Sequence, residues 1–478
     1  MSAMATCDSC LTARERAAYA RYARLALPRH TSYPAVPFWS DAYNSEDYGA
    51  DLEAGRRARK PLGLYVHVPF CEKLCFYCAC TREIVPKSEF SSTGIADSFL
   101  DALESEARRL AGDAGGGDRW VHQIHLGGGT PSYLTCHQLE RLVGILQQNF
   151  RIAPDGEFSV EIDARSVSLE QLATLRGLGC NRVSLGIQDF DPRVQRAVNR
   201  LQSFEVVKRV VDGCRALGIA SLNFDLIYGL PFQTLNSMED TLEKTLALGP
   251  DRVAFYRLAV IPEMFRWQKV FKPADLPSGE IPLELMLLAL RCFTSEGYEF
   301  IGLDHFARPN EALAQARQAR ALRRSFQGMT TGRGLEVLGI GPSAISLLGN
   351  SYAQNAKDSA EWRTRVRQGY ATVRGWRLSA EDQLRGELLQ RLYSYGEVDT
   401  EGLEREFGVS FATHFAGELT RLRLLEEDGL IEHRAGSLGL KGLLGRLLAR
   451  VPAAVFDAYL PPEAFHQGLS SPEASRVG

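Results

Sequence analysis

The feature that most constrains the fold of this chain is the alternation of short apolar runs with longer amphipathic stretches between residues 61 and 345. The apolar runs cover residues 62–68, 122–126, 157–162, 182–187, 221–227, 252–258 and 299–303. The segments between most of them show helical spacing, as in 136–150 and 204–218. Such alternation predicts a parallel sheet with helices packed on it. Six or seven such units favour a complete or partial parallel (β/α) barrel, whose functional groups gather at the carboxyl ends of the strands.

The segments that flank this region have a different pattern. Residues 1–60 are a predicted N-terminal extension, in which Pro28 and Pro34 bracket a stretch that proline geometry keeps extended. We assign the barrel to residues 61–375, a helical C-terminal domain with one possible hairpin (430–440) to 376–465, and a loose tail to 466–478. The predicted fold class is α/β, a partial parallel barrel with an N-terminal extension and a helical C-terminal domain.

Composition excludes several classes of protein. Apolar residues make up 45% of the 478 residues and charged residues 24%, which is ordinary for a globular chain with a large core. The formal net charge of −3 gives no general attraction to nucleic acid or to an anionic membrane. The N-terminus lacks a secretory pattern, and no apolar run reaches the roughly 18 residues of a membrane span. We therefore expect a cytoplasmic protein without a membrane span, whose cysteines are reduced.

Three cysteines follow directly after the first predicted strand. Cys71, Cys75 and Cys78 lie within eight residues, so their thiolates can ligate three irons of one cubane cluster from a single loop. The fourth iron is then left without a protein ligand. S-adenosylmethionine can chelate such an open iron through its amino and carboxylate groups, and the cofactor then carries the difficult chemistry. The spacing therefore predicts an iron–sulfur cluster that binds this molecule.

Other interpretations of the cysteines stay open at this point. A structural zinc site requires four ligands, and Cys80 could supply the fourth. The cysteines could also be buried structural residues. Cys7 and Cys10 form a separate CxxC pair near the N-terminus, which has no assigned role. The other four cysteines lie in helical or core patterns and are expected to be small buried apolar residues: Cys136, Cys180, Cys214 and Cys292.

Several further motifs give the chain a family resemblance. Besides the CxxxCxxC loop these are Cys80, the Pro28–Pro34 segment, GGGTP, GIQDF, VNR, DLIYGLP, DHFA, FQG and SAIS. Over roughly residues 25–460 the chain resembles the oxygen-independent coproporphyrinogen III oxidases (coproporphyrinogen dehydrogenases) of the radical S-adenosylmethionine superfamily. The resemblance implies a radical SAM barrel and an oxidoreductase.

The resemblance also implies a reaction in haem and porphyrin biosynthesis. Two propionates of coproporphyrinogen III lose carbon dioxide and become vinyl groups, which gives protoporphyrinogen IX. A reduced [4Fe-4S] cluster cleaves S-adenosylmethionine to methionine and a 5′-deoxyadenosyl radical, which takes a hydrogen atom from the propionate. The implied cofactors are the cluster and two molecules of S-adenosylmethionine. The implied partners are the substrate, an electron donor and an electron acceptor, with no nucleic acid, and the chain is expected to be a monomer.

Roles for individual residues follow from the resemblance. It implies that Cys71, Cys75 and Cys78 are the metal ligands and, with Tyr65, the catalytic residues. Tyr65, Gly128, Glu161 and Ile345 are assigned to the first S-adenosylmethionine, and Tyr77 to a cofactor contact. The second molecule is assigned to Gly129, Thr130, Gln188, Arg200, Asp225 and Ala259.

Physical chemistry agrees with several of these assignments. Glycines after the predicted strand 122–126 let backbone amides approach a ligand without interference from a Cβ atom. Glu161 stands at the end of a predicted strand, where its carboxylate can accept hydrogen bonds from ribose hydroxyls. Purely structural roles stay open for the same residues. The glycines could form a simple turn, and Glu161 could cap the start of a helix. Arg200 and Asp225 could form surface salt bridges, and Tyr65 and Ile345 could pack in the core.

Further candidates have weaker support. Phe326, Gln327, Asp304 and His305 are expected near the site, and Arg29, His30 and Lys73 are candidate partners of the substrate propionates.

The chain departs from the family pattern in two places. The order Phe76-Tyr77 is the reverse of the usual Tyr-Phe before the third cysteine, and either ring can stack on the cofactor. Near the C-terminus, Val451 and Ala454 replace the usual Asn and Met, and Pro452 interrupts the helical pattern. An alternative function is that of a haem-binding or haem-trafficking radical SAM paralogue. Such relatives tend to lack Cys80 and the Pro28–Pro34 segment, and both are present here.

Overall fold

The computed structural model describes residues 11–90, 94–332 and 334–461. Cys7, Cys10 and the predicted tail 466–478 lie outside the described residues. The strands, in chain order, are β1 (Leu62–Val68), β2 (Phe70–Cys71), β3 (Glu83–Ile84), β4 (Trp120–Gly128), β5 (Arg151–Ile162), β6 (Arg182–Gln188), β7 (Ser221–Tyr228), β8 (Arg252–Arg257), β9 (Glu299–Gly302), β10 (His305–Ala307), β11 (Arg323–Ser325), β12 (Gly328–Thr330), β13 (Glu336–Ile340), β14 (Ile345–Leu348), β15 (Ser351–Asn355), β16 (Thr372–Arg377), β17 (Glu397–Asp399), β18 (Ile431–Arg434) and β19 (Ser437–Leu440).

The helices alternate with these strands through the middle of the chain. They are α1 (Ala13–Tyr22), α2 (Ser45–Ala58), α3 (Lys87–Phe90), α4 (Ile95–Ala114), α5 (Cys136–Asn149), α6 (Leu169–Gly177), α7 (Pro192–Ala197), α8 (Phe204–Ala216), α9 (Leu235–Leu248), α10 (Ile281–Ser295), α11 (Ala312–Gln318), α12 (Ser359–Gln368), α13 (Ala380–Tyr395), α14 (Thr400–Phe407), α15 (Phe411–His414), α16 (Ala416–Glu427), α17 (Gly442–Leu447) and α18 (Arg450–Val455).

One twelve-stranded sheet dominates the described part of the chain, in the order β16-β15-β14-β13-β1-β4-β5-β6-β7-β8-β10-β9. The seven strands from β13 to β8 are mutually parallel. The strands at both ends of the order are antiparallel, so the sheet is an open, partial barrel. The predicted α/β class with a largely parallel sheet is confirmed.

All seven predicted runs form strands, but two features of the sheet differ from the prediction. The run 299–303 forms a strand, but this strand, β9, is antiparallel and lies at the edge of the sheet. The parallel strand β13 had no predicted counterpart. It pairs in parallel with β1, although the strands that follow it, β14 to β16, form antiparallel hairpins.

Local sequence explains why the helices lie where they do. In α5, Leu139, Leu142, Val143 and Leu146 recur at helical spacing and are buried on one face. Thr135 begins this helix with a capping box, because its hydroxyl accepts from the Gln138 amide and the Gln138 side chain accepts from the Thr135 amide. Ser168 begins α6 in the same way. The connections are therefore stable helices that pack their apolar faces on the sheet.

A second hydrophobic core joins both ends of the described chain. We call it the C-terminal core; it combines buried residues of α1, α10 and α13 to α18. The Pro28–Pro34 segment runs beside it, and the Tyr33–Pro34 peptide bond is cis. His30 in this segment is buried between the Tyr393 hydroxyl, at 2.8 Å, and the Asp457 carboxylate, at 2.9 Å. The N-terminal extension is therefore tied to the end of the chain.

The C-terminal segment is mainly helical, as predicted. The predicted hairpin is present as β18 and β19, and β17 pairs with β19 as a third strand. The helical pattern after residue 440 is divided between α17 and α18, and Pro452 is the third residue of α18. A proline is tolerated there because amides in the first turn have no intrahelical acceptor. No helix among the described residues has both the length and the apolar character needed to cross a membrane.

Candidate active site

A cavity of about 860 Å³ opens at the carboxyl ends of the parallel strands. The loops and last residues of β1, β4, β5, β6, β7 and β8 all contribute to its wall. This is the position at which open and closed parallel α/β sheets place their ligands. Its volume is within the range usual for small-molecule and cofactor sites.

The cysteine loop forms one side of this cavity. Cys71, Cys75 and Cys78 all line it, and the Cys71 sulfur lies 3.3 Å from the Thr130 hydroxyl. The Cys78 amide donates to the Cys75 carbonyl at 3.1 Å, which tightens the turn between the two thiols. The Trp267 indole donates to the Cys78 carbonyl at 3.0 Å. Packing therefore holds the loop in place by its backbone and leaves the sulfur atoms facing the cavity.

The thiols differ in acidity. Burial raises the pKa of Cys71 to about 11, although the Thr130 hydroxyl opposes the shift. A hydrogen bond from Cys80 lowers the pKa of Cys78 to about 6, and the same contact raises the pKa of Cys80.

Within residues 11–90, 94–332 and 334–461, no group of three His, Cys, Asp or Glu side chains is placed to hold a single metal ion. Four cysteines of one loop line the cavity, Cys71, Cys75, Cys78 and Cys80, and the first three, at CxxxCxxC spacing, suit a cluster whose irons take one thiolate each.

The loop after β4 requires glycine for steric reasons. Gly128 has a φ of +108°, and a Cβ atom there would lie 2.6 Å from the His67 ring. A Cβ on Gly129 would lie 2.6 Å from the Pro69 backbone. The glycines therefore let β4 and the start of the cysteine loop pack closely, and Gly128, Gly129 and Thr130 all reach the cavity.

Glu161, near the end of β5, is held by its neighbours on β4. Its carboxylate accepts from the Gly128 amide at 3.3 Å and contacts the His125 ring nitrogen at 3.1 Å. Burial raises the pKa of Glu161, but the His125 contact and the Gly128 amide outweigh it, so the net shift is downward. An ionised carboxylate therefore faces the cavity next to the glycine loop.

A second carboxylate, Asp225, lies further along the sheet. It accepts from the Ser184 hydroxyl at 2.9 Å and from the Asn223 amide at 3.1 Å. Burial raises the pKa of Asp225 to about 6, and the charge of Glu161 adds to the shift. The two carboxylates on this wall therefore differ in acidity.

Two arginines converge on one carboxylate beside the cysteine loop. Asp163 accepts from the Arg165 guanidinium at 2.6 Å and from the Arg200 guanidinium at 3.1 Å. The same guanidiniums lie 3.8 and 3.7 Å from the Cys75 sulfur. Burial raises the pKa of Asp163, but the two arginines outweigh it and hold this pKa well below its usual range. The positive charge left over faces the thiol.

Comparison with known proteins shows the family to which this chain belongs. The Radical SAM superfamily model matches residues 65–245. Oxygen-independent coproporphyrinogen III oxidase of Salmonella typhimurium is 40% identical over 444 residues, which cover 93% of this chain and 95% of that protein. The Escherichia coli K12 protein with the same description is 41% identical over 448 residues, with the same two coverages. The chain belongs to the oxygen-independent coproporphyrinogen III oxidases.

A solved structure agrees with this family assignment. Coproporphyrinogen III oxidase (HemN) from Escherichia coli, described as a radical SAM enzyme, aligns with a TM-score of 0.86 and 39% identity. The alignment covers 90% of this chain and 98% of the solved chain. The predicted radical SAM fold and family are confirmed, and with them the enzyme class, an oxidoreductase of porphyrin biosynthesis. A [4Fe-4S] cluster and S-adenosylmethionine are the cofactors of this superfamily.

Most of the predicted site residues of this chain meet at the cavity. Its wall includes Cys71, Cys75, Tyr77, Cys78, Gly128, Gly129, Thr130, Glu161, Gln188, Arg200 and Asp225. Gln188 ends β6 with a φ of +68°, a conformation that is costly for a residue with a side chain. Their convergence supports the predicted roles, which stay predictions.

Three predicted residues do not line the cavity. Tyr65 is directed at its neighbours, with its hydroxyl 3.0 Å from a His67 ring nitrogen and its ring stacked on His125. Ala259 follows β8, and its carbonyl accepts from the Gln268 amide at 3.0 Å. Ile345 begins β14. Tyr65 packs on His125 and Ala259 follows Tyr256 closely in the chain, and both His125 and Tyr256 reach the cavity.

Some of the candidate residues with weaker support line the cavity and others do not. His305, Phe326, Gln327, Arg29 and Lys73 line the cavity. Asp304 is not part of the wall, but its carboxylate lies 2.6 Å from a His305 ring nitrogen. His30 is buried against Tyr393 and Asp457 and does not line it, so the structure does not place His30 as a partner for substrate propionates.

Sequence reasoning missed several polar residues of the site. Asp163, Arg165, His125, Ser184 and Asn223 all line the cavity. A signal was present for some of them, because alternate residues of a strand share a face. By this rule Asn223 accompanies Asp225. Asp163 and Arg165 follow β5 in a loop, where no periodicity could have identified them.

Proposed function

We propose that this chain catalyses the oxygen-independent decarboxylation of two propionates of coproporphyrinogen III, which gives protoporphyrinogen IX for haem synthesis. The observation that carries the proposal is the convergence of the CxxxCxxC thiols with the glycine loop and the carboxylates of Glu161 and Asp225 on a single cavity. The identity of about 40% over nearly the whole chain supports the choice of substrate.

Cys71, Cys75 and Cys78 would hold the [4Fe-4S] cluster, because all three line the cavity and together form the CxxxCxxC motif of the radical SAM family. When bound, the cluster would supply the electron for reductive cleavage of S-adenosylmethionine, the chemistry that starts hydrogen abstraction from a propionate. Cys80 lies beside Cys78 and is left outside the proposed ligand set. Tyr77 packs its ring next to the loop and would contact the cofactor.

The first S-adenosylmethionine would lie against Gly128 and Glu161. The Glu161 carboxylate is ionised and already accepts from the Gly128 amide, so it can also accept from ribose hydroxyls or from an ammonium group. Tyr65 and Ile345 would complete this subsite, with Tyr65 acting through His67 and His125, on which it packs.

The second S-adenosylmethionine would occupy the other side of the cavity, along β6 and β7. Arg200 offers a buried guanidinium there, and Asp225 offers a carboxyl group that can accept hydrogen bonds. Gln188 is held in a strained conformation beside Arg200 and would bind polar groups of the same molecule. Gly129, Thr130 and Ala259 are the remaining proposed contacts.

The remaining partners are also proposals. Each hydrogen abstraction needs one electron delivered to the cluster and one removed from the substrate, so a donor and an acceptor are required. Arg29 and Lys73 line the cavity and would receive propionates of the porphyrinogen. We propose that the protein works as a cytoplasmic monomer.

The test is anaerobic reconstitution of the full chain with iron and sulfide, followed by mass spectrometry of a reaction with coproporphyrinogen III. We expect methionine, 5′-deoxyadenosine and a porphyrinogen that has lost two carboxyl groups. Stable haem binding without release of carbon dioxide would instead favour a haem-trafficking paralogue. Cleavage of S-adenosylmethionine without substrate turnover would refute the proposed substrate.

The ligand set has its own test by alanine substitution. Cys71→Ala, Cys75→Ala and Cys78→Ala should each abolish the reconstituted cluster, because each removes a ligand. Cys80→Ala is the matched control and should keep its iron and its visible absorbance. Loss of iron from Cys80→Ala would favour a site with four protein ligands, such as zinc.

A further inference from the structure

A second cavity, of about 580 Å³, lies against the outer side of the site. We call it the α7–α8 groove, because residues of α7, α8 and the segment between them form most of its wall. It shares Arg165 and Leu201 with the main cavity. Among the described residues, only these two line both cavities.

The shared arginine connects the groove to a proposed cluster ligand. One Arg165 guanidinium nitrogen lies 2.6 Å from the Asp163 carboxylate and 3.8 Å from the Cys75 sulfur. The same residue is part of the groove wall. A molecule seated in the groove is thus separated from the Cys75 thiolate by a single side chain. The rate of electron transfer falls steeply with distance, so this short separation would favour fast electron transfer from the groove to the cluster.

The chemistry of the groove suits a protein surface. Leu201 is 58% exposed at its rim, and Phe204 and Val206 add apolar wall, so several apolar side chains meet at this surface. Arg209 and Lys244 contribute positive charge next to these apolar residues. Lys244 is already paired with Asp240 at 2.6 Å, and Glu205 is an acidic member of the wall. An apolar centre with a mainly basic rim complements an acidic partner.

The proposed reaction also requires an entry point away from the main cavity. Substrate and S-adenosylmethionine would fill that cavity during turnover, so the electron that starts each cycle must arrive from another side. We propose that the α7–α8 groove is the docking site of a small acidic electron-carrier protein that reduces the cluster through Arg165 and Cys75. This inference rests on the proposed function. One electron leaves the carrier and enters the oxidised cluster, and no bond is formed or broken.

The test compares two reductants on the reconstituted full chain in anaerobic stopped-flow experiments. The probes are a reduced flavodoxin, which is a small acidic flavoprotein, and reduced methyl viologen, which is a small cation. The readout is bleaching of the visible absorbance of the cluster, which does not depend on porphyrinogen turnover. In the double variant Arg209→Glu/Lys244→Glu, we expect the second-order rate with flavodoxin to fall about tenfold or more at low salt. The rate with methyl viologen should not fall.

Arg57→Glu is the control for reversing one surface charge away from the groove, and it is compared with the single variant Arg209→Glu, which changes the net charge by the same amount and should lower the flavodoxin rate more. Arg57 is 76% exposed on α2 and pairs with Glu53, as Lys244 pairs with Asp240. It should change the flavodoxin rate by less than twofold. The milder pair Arg209→Gln/Lys244→Gln should give an intermediate effect, and added salt should reduce the difference from the native chain.

Three results would overturn the proposal. They are an unchanged flavodoxin rate in the double variant, an equal loss with both reductants, and an equal loss in Arg57→Glu. Iron content measured in the same samples separates a lost cluster from slowed docking. Because no porphyrinogen is present, failure of this inference is distinguishable from failure of the proposed reaction.

Discussion

At the scale of single residues, the site depends on positions where only one side chain fits. Gly128 combines a left-handed backbone with a neighbouring His67 ring that occupies the space of a Cβ atom. Its amide then reaches the Glu161 carboxylate at 3.3 Å. The absence of a side chain at one residue therefore sets the position of a carboxylate on the next strand.

Gly128→Ala should weaken both stability and cofactor binding. The new methyl group would strain the backbone and displace His67, at a cost of about 2 kcal/mol. Denaturant unfolding and equilibrium binding of S-adenosylmethionine to the reconstituted protein measure the two effects. Gly144→Ala is the control, because a Cβ at Gly144 of α5 meets no atom within 4 Å, and it should raise stability by about 0.5–1 kcal/mol. Unchanged binding in Gly128→Ala would contradict the assigned role of the glycine loop.

Asp163 makes the pH dependence of stability predictable. The two arginines hold its pKa below the ordinary value of 3.8, so its ionised form stabilises the folded state above that pH. This contribution is lost as the pH falls below about 4, because protonation then occurs in the unfolded chain first. Asp163→Asn should therefore cost about 3 kcal/mol at pH 7, and the difference from the native chain should shrink in acid.

Unfolding free energies measured at pH 7 and below pH 4 test this expectation. Asp155→Asn, an exposed change on β5, is the control and should stay within about 0.5 kcal/mol of the native chain at pH 7. If the difference in unfolding free energy between Asp163→Asn and the native chain stays constant across the acid range, the ion pairs of Asp163 do not control the pH dependence of stability.

At the scale of elements, the C-terminal helices explain the two unusual residues near the end of the chain. Val451 and Ala454 lie on α18, where both are at most 2% exposed within the C-terminal core. Neither lines the main cavity. Their apolar character suits the packing of α18 against α13 and α16, so the departure from the family pattern is matched by its surroundings.

Val451→Asn, which restores the residue usual in the family, should therefore destabilise this chain. Burial of an amide among apolar neighbours costs about 2 kcal/mol when it finds no partner. Thermal unfolding measures the loss, and turnover per folded molecule should be nearly unchanged, because the residue lies away from the cavity. Arg423→Asn, a substitution at an exposed position of α16, is the comparison and should have little effect. Increased turnover in Val451→Asn would instead show that this helix acts on the site.

At the scale of the whole molecule, α10 links the two hydrophobic cores. Leu283 and Leu287 belong to the C-terminal core, whereas Leu285, Met286 and Phe293 of the same helix belong to the core around the sheet. The His30 contacts add a polar connection between the two ends of the chain. We therefore expect the described chain to unfold as one cooperative unit.

Leu392→Ala tests this coupling. Leu392 is fully buried on α13 in the C-terminal core, and its truncation should cost about 3 kcal/mol. None of the five tryptophans, all within the described residues, belongs to that core, and only Trp376 donates a hydrogen bond to α13, at Asp382, so the fluorescence reports mainly on the rest of the molecule. The fluorescence midpoint should fall together with the far-ultraviolet ellipticity midpoint. A shift in ellipticity alone would indicate two independent units.

Much of the fold was predictable because its signals are local. The runs that became β1, β6 and β7 were identified almost to the residue, since burial on both faces of a parallel strand gives a short continuous apolar run. The direction of β9 was not predictable, because the same run could pair in either sense. Strand β13 was missed because its five residues resemble a loop until β1 provides a partner.

The amino-acid sequence by itself determined the cysteine loop, the glycine loop and the alternation of strands and helices, because each depends on residues that are close together in the chain. Only the tertiary structure decided which side chains meet. Asp163 and Arg165 follow β5, whereas Arg200 and Cys75 come from two other segments, and all four converge because the parallel strands bring their carboxyl ends to one edge. Tyr65, Ala259 and Ile345 do not line the cavity, because side-chain direction depends on packing across the sheet and not on spacing along the chain.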